Sequence, residues 1–568
     1  MNGAMTVVTF LEEKGVPFAF GYPGGPILDI YDAIYKRKFN HILTRHEQGA
    51  VHAAEGYAKL TGKPGVVIAT SGPGATNLVT GLADAFLDSV PIFAITGAVA
   101  RDSIGKDAFQ EADITGITQP ITKYSYLVMS PEDLYPTLEE AWKLTTEGRN
   151  GPVLVNIPKD ILSMEIACKL PTGHGKIMHR PQRKKADNQV ENVYHAIWQA
   201  KRPLMIIGGG LVLSENAPSL MREFTEKTGI PVAFTMMGKG GIDEKHENSL
   251  GLIGMHGTPQ ADKALDEADL LLAVGCRFSD RMIGNPDRYM DDREQVVIHV
   301  DIDPAEISKN IHANIEIEDD AANFFTCMLS GFPKKSLPKA WQIWREKLFA
   351  IREEYALDNA KHYPLDDSLF PQAVVREISK LYKNDNPILV TDVGQNQLYA
   401  TQHFRVSSPR SFLTSGGLGT MGVGLPFGIG AALAEKSRPV VVFVGDGGFQ
   451  MTIQELGTLC EQHLPLKIII LDNQSLGMIH QLQKVFCKQR YSASAMLANP
   501  DFCTIAKAYG IDGMKVTNKE ELLKGAKALH DAKGPFVLHV LTNADMMVYP
   551  MIPAGKNPED ILLFDDER

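Results

Sequence analysis

The chain has no paired cysteines. Its 6 cysteines stand singly at positions 168, 276, 327, 460, 487 and 503, so no disulfide framework is spelled out. Long hydrophobic runs are also missing. The mean hydropathy is −0.11 and no apolar stretch exceeds the length of a buried strand, which excludes a spanning helix. Basic excess is absent as well. Fifty-seven Lys and Arg against 68 Asp and Glu give a net charge of −11 and a pI of about 5.8. That balance excludes a broad nucleic-acid or anionic-membrane surface, both of which require a basic footprint. Residues 1–8 soon meet Glu12, Glu13 and Lys14, so no secretory leader is expected. None of the five Gly-Lys pairs, at Lys63, Lys106, Lys176, Lys239 and Lys556, is followed by Ser or Thr, and no GxSxG elbow occurs. A P-loop is thereby excluded, and a serine hydrolase is disfavoured. A large, soluble, cytoplasmic α/β protein is left.

What is present is 568 residues, 44% hydrophobic and 22% charged, with 50 Gly and 33 Pro. At roughly 100–200 residues per domain this length holds three or four units. Val- and Ile-rich runs at 65–70, 91–96, 152–157, 203–207, 270–274, 296–300, 388–391, 440–444 and 466–471 alternate with helix-length amphipathic segments. That alternation predicts parallel sheets covered on both faces. Polar breaks at 171–187, with a basic cluster of Arg180, Arg183, Lys184 and Lys185, and at 331–371 divide the chain. The expected organisation is three doubly wound domains over 1–168, 188–332 and 370–540, with a tail at 541–568.

The third block carries the sharpest constellation. The run at 440–444 leads into Gly445-Asp446-Gly447-Gly448, and the run at 466–471 into Asp472-Asn473-Gln474-Ser475-Leu476-Gly477. Both strands of a parallel sheet end on the same side, so Asp446 and Asn473 emerge together. A carboxylate, an amide oxygen and nearby carbonyls make a hard-oxygen site suited to Mg²⁺ holding a diphosphate. Turn-capping by Asp and Asn is the bland alternative.

In the first block, Arg45-His46-Glu47-Gln48 opens an apolar helix, and the next strand ends in Ser71-Gly72-Pro73-Gly74-Ala75-Thr76-Asn77. Desolvation is expected to raise the Glu47 carboxyl, suiting it to share a proton with a heterocycle nitrogen. Complementing the helix dipole is the simpler reading. His46 and His52 lack a third metal ligand. The GxGxxG at 417–422 follows a weak strand and lacks the acidic residue of a nicotinamide site. Gly208-Gly209-Gly210, at the end of the run 203–207, is the better phosphate turn.

With these residues in place the chain resembles the thiamine diphosphate enzymes, and among them the large catalytic subunits of the acetolactate synthase branch. The shared segments run nearly end to end: 20–25 (FGYPGG), 45–48 (RHEQ), 70–77 (TSGPGATN), 107–111 (DAFQE), 157–160 (IPKD), 254–258 (GMHGT), 417–422 (GLGTMG) and 548–551 (VYPM).

The resemblance implies pyrimidine-binding, FAD-binding and diphosphate-binding domains of similar topology. It implies a homodimer or homotetramer in which the first block of one subunit faces the third block of another. By the same resemblance, Glu47 promotes the aminopyrimidine tautomer that removes the thiazolium C2 proton. Pyruvate then loses CO₂, and its two-carbon remainder joins a second pyruvate or 2-ketobutyrate. The implied coenzyme contacts are Tyr22, Pro23, Gly24, Pro73, Asn77, Val393, Gly394, Gln395, Asn396, Gly419, Met421, Gly445, Asp446, Gly447, Gly448, Asn473, Ser475, Leu476, Gly477 and Met478, with Asp446, Asn473 and Ser475 on Mg²⁺. Gln110, Phe109, Lys159 and Arg281 join Glu47 around the substrates, Arg281 as the carboxylate grip. FAD is implied at Arg149, Gly208, Gly209, Gly210, Thr235, Met236, Met237, Met255, His256, Gly275, Arg277, Asp301 and Asp320. Read from the residues alone, Asp301 and Asp303 serve equally well as helix caps before Pro304. A separate small regulatory subunit is also implied.

Two rivals are weighed against this reading. A pyruvate oxidase or simple decarboxylase on the same fold is disfavoured by the segments at 107–111 and 254–258 and by the tail at 548–551. A non-catalytic paralogue is disfavoured by retention of Glu47, Gln110, Asp446 and Asn473. Four departures stand out: Leu482 where Trp is usual, Asn396 for His near the diphosphate, Ala98 for Gln, and Asp319 for Gly beside the flavin. Because the Trp ring shapes the acceptor and inhibitor channel, reduced sensitivity to channel-blocking herbicides is expected. Inhibitor titration of wild type against Leu482→Trp checks this. The variant is inhibited at lower concentration, whereas equal potency removes the assignment of Leu482 to the channel.

Overall fold

The computed structural model describes residues 1–166, 186–284, 295–333, 336–357, 362–543, 545–553 and 555–564. The basic cluster of the expected first break, and the expected boundary at 168, lie outside them. Among the described residues, eighteen strands form three six-stranded sheets in which every pairing is parallel. The first holds β1 (Ala19–Tyr22), β2 (His41–Leu43), β3 (Gly65–Ala69), β4 (Ile92–Ala98), β5 (Tyr124–Leu127) and β6 (Val153–Pro158), in the order β2-β1-β3-β4-β6-β5. The second holds β7 (Pro203–Ile207), β8 (Val232–Phe234), β9 (Ser249–Leu252), β10 (Leu270–Val274), β11 (Val296–Asp301) and β12 (Ile315–Glu318), in the order β12-β11-β10-β7-β8-β9. The third holds β13 (Ile388–Thr391), β14 (Phe412–Leu413), β15 (Val440–Gly445), β16 (Lys467–Asp472), β17 (Asp512–Val516) and β18 (Phe536–Leu541), in the order β14-β13-β15-β16-β18-β17.

The first and third sheets therefore share one strand order, 2-1-3-4-6-5 counted within each. The middle sheet does not. Its order is 3-2-1-4-5-6, that of dinucleotide-binding sheets, which corrects the expectation of similar topology throughout. The central strands β3, β4, β6, β7, β10 and β16 are buried at every residue, as sheets covered on both faces require. Among the described residues, no helix is long and apolar enough to cross a membrane.

One core is shared between the first and third sheets. It runs from Val67 and Ala69 of β3 through helix Glu47–Thr61 and helix Gly424–Ala434 to Val442 and Val444 of β15. The two helices approach closely because glycines face backbone: a Cβ on Gly56 would overlap the Phe427 carbonyl, and one on Gly430 the Ala53 carbonyl. A Gly430→Ala change gains roughly 1 kcal/mol of helix propensity but drives a methyl into a backbone that no rotamer change can relieve. Overpacking of this kind costs about 1–3 kcal/mol, so the clash wins. The expected outcome is a lower urea midpoint for Gly430→Ala with an unchanged transition slope.

Candidate active site

Glu47 owes its position to the residue before it. His46 is extended (φ −158°, ψ 148°) and its Nδ1 accepts the Gln48 amide at 3.1 Å, which starts the helix on Glu47. Glu47 is 9% exposed, and its Oε2 accepts from Asn77 Nδ2 at 3.0 Å. A Cβ on Gly74 would stand 3.1 Å from its Oε1, and one on Gly72 would stand 2.7 Å from the Gln110 carbonyl. Gly24 likewise has no room for a Cβ beside Thr70. The end of β1 and the turn after it, with Tyr22, Pro23 and Gly24, pack on Thr70, the segment after β3 brings Gly74 and Asn77 to the Glu47 carboxylate, and the Gln110 backbone lies against Gly72. Tyr31 registers that charge: burial first, then Glu47, holds its hydroxyl above the ordinary tyrosine range.

In the third sheet, Asp446 follows β15 and Asn473 follows β16. Burial pushes the Asp446 carboxyl up to about 7, against a hydrogen bond from Asn499 that favours the charged form, and neighbouring Asp472 raises it further. Asn499 Nδ2 bridges the two acids, 2.6 Å from Asp446 Oδ2 and 2.9 Å from Asp472 Oδ1. A buried acid pair of this kind calls for a cation. Asn473 Oδ1 accepts the Ser475 amide at 3.1 Å and keeps a second lone pair, while Ser475 Oγ is tied to the Ser494 carbonyl at 2.9 Å. Ser475 is left its main-chain oxygen to offer a metal. The donor set is oxygen throughout, which fits Mg²⁺.

Three helices begin around this edge, at Gln395, Asp446 and Gly477, and their caps Gly394, Gly445 and Leu476 supply no side-chain hydrogen bond. Their first amides face outward, as an anion requires. Space for one exists: the nearest atoms to a Cβ would be 3.7 Å away at Gly394 and 4.0 Å at Gly419, both in the left-handed region at φ +115° and +75°. Asn396 donates to the Val393 carbonyl at 3.1 Å and approaches Gly445 with the same nitrogen. Gly477 has no room for a side chain between Gln395 and Asn473. Gly447 faces Leu476 and Met421, and Gly448 packs on Asp392.

The loop bearing Gly419 and Met421 is held from two sides. Asp392, buried at the end of β13, accepts the amides of Val393, Gly422 and Gly424 at 2.8–3.0 Å. From the first sheet, Asp88 accepts the Gly416 and Gly417 amides at 3.1 and 2.7 Å and pairs with Lys59 at 2.6 Å. Asp84 accepts from Ser415 Oγ, which in turn accepts the Gly419 and Thr420 amides. Asp84, Asp88, Asp392, Asp472 and Asn499 were not singled out from sequence. Asp392 could have been, since it ends a strand as Asp446 nearly does. The partners of the others are distant in the chain.

A cleft of about 970 Å³ opens beside β7 and β10. It takes in all thirteen residues expected for a flavin: Arg149, Gly208, Gly209, Gly210, Thr235, Met236, Met237, Met255, His256, Gly275, Arg277, Asp301 and Asp320. Gly275, at φ +59°, nests against Gly210, leaving no Cβ room at Gly208, Gly210 or Gly275. Several of the thirteen already have side-chain partners within the chain: His256 faces the Pro550 carbonyl, Arg277 donates to the Leu87 carbonyl and Asp301 accepts the Asp303 amide. Arg149 pairs with Glu306 at 2.8 Å and Asp303 at 3.2 Å, and Asp320 caps helix Ala321–Ser330 through the Ala322 amide at 2.9 Å. The cleft continues to Arg281, Val393, Gly394, Gly419 and Met478, so it meets the third sheet's edge.

Not every expected residue converges within one chain. Phe109 is 90% exposed, and Lys159 is exposed at the start of helix Lys159–Ser163. Among the described residues, no hydrogen bond links Glu47 to the Asp446 edge. Leu482 is part-exposed on helix Gly477–Phe486, and Asp319 accepts the Ala186 amide at 2.9 Å.

Three family models match the chain: the thiamine pyrophosphate enzyme N-terminal TPP binding domain over residues 1–117, the central domain over 190–328, and the C-terminal TPP binding domain over 392–540. The chain is 41% identical to the acetolactate synthase isozyme 2 large subunit of Escherichia coli (strain K12), covering 99% of each. It is 41% identical to the acetolactate synthase large subunit of Lactococcus lactis subsp. lactis, covering 100% of this chain and 97% of that one. Against the mitochondrial acetolactate synthase catalytic subunit of Saccharomyces cerevisiae, identity is 38% over 100% of this chain and 84% of that one. The segment that brings Asn77 to Glu47 and the oxygen-rich edge at Asp446 therefore belong to a known plan: the chain is a member of the thiamine pyrophosphate enzyme family, in its acetolactate synthase branch.

Proposed function

We propose that this chain is the catalytic subunit of an acetolactate synthase, using Glu47, Gln110, Phe109, Lys159 and Arg281 around thiamine diphosphate and Mg²⁺ to condense pyruvate with pyruvate or 2-ketobutyrate. The observation that carries the reading is the Asp446 edge, where a buried acid pair in need of a cation adjoins uncapped helix starts and glycines with open space. When bound, thiamine diphosphate supplies the electron sink that lets a 2-ketoacid lose CO₂ and pass on its two-carbon remainder. Asp446, Asn473 and the Ser475 carbonyl hold the metal, and the amides at Gln395 and Gly447 hold the diphosphate. Asn396 adds a neutral donor. Glu47, oriented by Asn77, would hydrogen-bond the pyrimidine nitrogen through its carboxyl group. Arg281 grips the substrate carboxylate with its guanidinium fork.

The lack of a hydrogen bond between Glu47 and the Asp446 edge among the described residues, and the bare Phe109 ring, favour a homodimer in which each site takes its two halves from different protomers. Relatives named as large subunits favour a small regulatory partner. FAD is proposed for the middle cleft, where Gly208, Gly210, Gly275 and Arg277 would help to hold it.

The test of the reaction is product identity, read as acetoin colour after acid treatment, with pyruvate alone and with added 2-ketobutyrate. Glu47→Gln should lower turnover about 10²- to 10⁴-fold while Mg²⁺-dependent coenzyme binding persists; undiminished turnover overturns the reading. Asp301 offers a pH test on the cofactor-free chain. Burial pushes its carboxyl from the ordinary value near 3.8 up to about 6, so the folded state favours the neutral form. Its contribution is complete below pH 4 and is lost as pH rises to 6. Relative to Asp301→Asn, wild type should lose up to roughly 3 kcal/mol across that window and stay level above it, as followed by urea unfolding.

A further inference from the structure

His539 sits in the middle of β18 and is 1% exposed. Its Nε2 lies 2.8 Å from Asp472 Oδ2. A carboxylate can only accept, so that bond puts a ring proton on Nε2, and in the neutral imidazole Nδ1 is then a bare lone pair. No donor among the described residues reaches Nδ1, and buried polar atoms are ordinarily paired. Cys503 and Asp501 lie beside the ring, with Cys503 Sγ, a carboxylate oxygen of Asp501 and a ring nitrogen of His539 all within 4.8 Å of one another. Asp501 starts helix Phe502–Ala508 by accepting the Thr504 amide at 2.8 Å, and its other oxygen faces Lys515 Nζ at 3.7 Å. Phe502 packs edge-on against the imidazole, with ring centroids 5.0 Å apart. The cluster is walled on its inner side and open where Asp501 is exposed.

We propose that Asp501, Cys503 and His539 form a second metal site, which takes a borderline divalent ion of the zinc class. Nitrogen, sulfur and oxygen donors with a fourth position open to water suit such an ion, whereas Mg²⁺ requires oxygen. Binding breaks the Cys503 S–H bond, forms the sulfur–metal bond and releases the proton to solvent, with no change of oxidation state. Asp472 orients the ring from behind, as carboxylates do for metal-bound histidines. It also connects this site to the Mg²⁺ edge, because Asn499 bridges Asp472 to Asp446.

The experiment uses the full chain in excess Mg²⁺, loaded with zinc chloride and read by competition with a chromophoric chelator and by zinc K-edge absorption. One zinc per chain and a sulfur scatterer at about 2.3 Å are expected. Cys503→Ser should weaken binding by at least about tenfold, and Asp472→Asn by about 10- to 100-fold. Equal zinc retention by wild type and Cys503→Ser, or an edge spectrum without sulfur, overturns the site. Should either variant fail to fold by circular dichroism, alkylation of Cys503 in wild type decides: slowing by zinc supports the site, and an unchanged rate overturns it. None of these outcomes depends on turnover, so the site stands or falls separately from the proposed reaction.

Discussion

The contact between helix Glu47–Thr61 and helix Gly424–Ala434 sets the terms for the rest of the molecule. It joins the first and third sheets through a single hydrophobic core, with glycines bringing backbone against backbone. Lys59 is buried at its edge. Burial alone would lower its amine, but Asp88, Asp84 and Glu55 outweigh that and hold it above the ordinary lysine value. Glu55 goes the other way: burial and then Asp84 hold its carboxyl well above the usual range. A buried pair such as Lys59 and Asp88 is poor evidence of net stability, yet leaving either partner alone costs about 3–5 kcal/mol. What the pair achieves is geometry, because Asp88 and Asp84 also grip the loop that carries Gly419 and Met421.

The three candidate regions obey one rule of sheet topology. In an open parallel sheet, neighbouring strands whose connections leave in opposite directions open a crevice at their carboxyl ends. In the first sheet that point lies between β1 and β3, where the turns around Tyr22 and Pro73 meet. In the middle sheet it lies between β7 and β10, where Gly208 and Gly275 interlock. In the third it lies between β13 and β15, where Gly394 and Asp446 emerge. The chemistry at each differs only in what the turn residues carry: an acid with an amide partner, a glycine cradle, or oxygen ligands under helix starts.

Much of this was legible before folding. Asp446, Asn473 and Glu47 stand beside glycine turns at the ends of apolar runs, and strand ends in a parallel sheet must share an edge. All nine of the apolar runs became strands. The remaining strands lie outside those runs: most are short edge strands such as β5 and β17, β1 and β8 are three or four residues long one place inside an edge, and in β18 a histidine interrupts the run. The different order of the middle sheet was not legible, since alternation of strand and helix is the same for either winding.

The linear chain by itself determined the fold class, the three-sheet plan and an oxygen-rich edge at Asp446 and Asn473, because these depend on periodicity and on which residue follows which strand, while the thiamine coenzyme followed from the resemblance of its motifs. Only the folded molecule decided that Asp88 holds Gly417 across 329 residues, that Asn499 spans two acids, and that His539 presents an unpaired nitrogen to Cys503. Those relations pair side chains remote in sequence through packing of helices and sheets, and no local pattern encodes the distance between them.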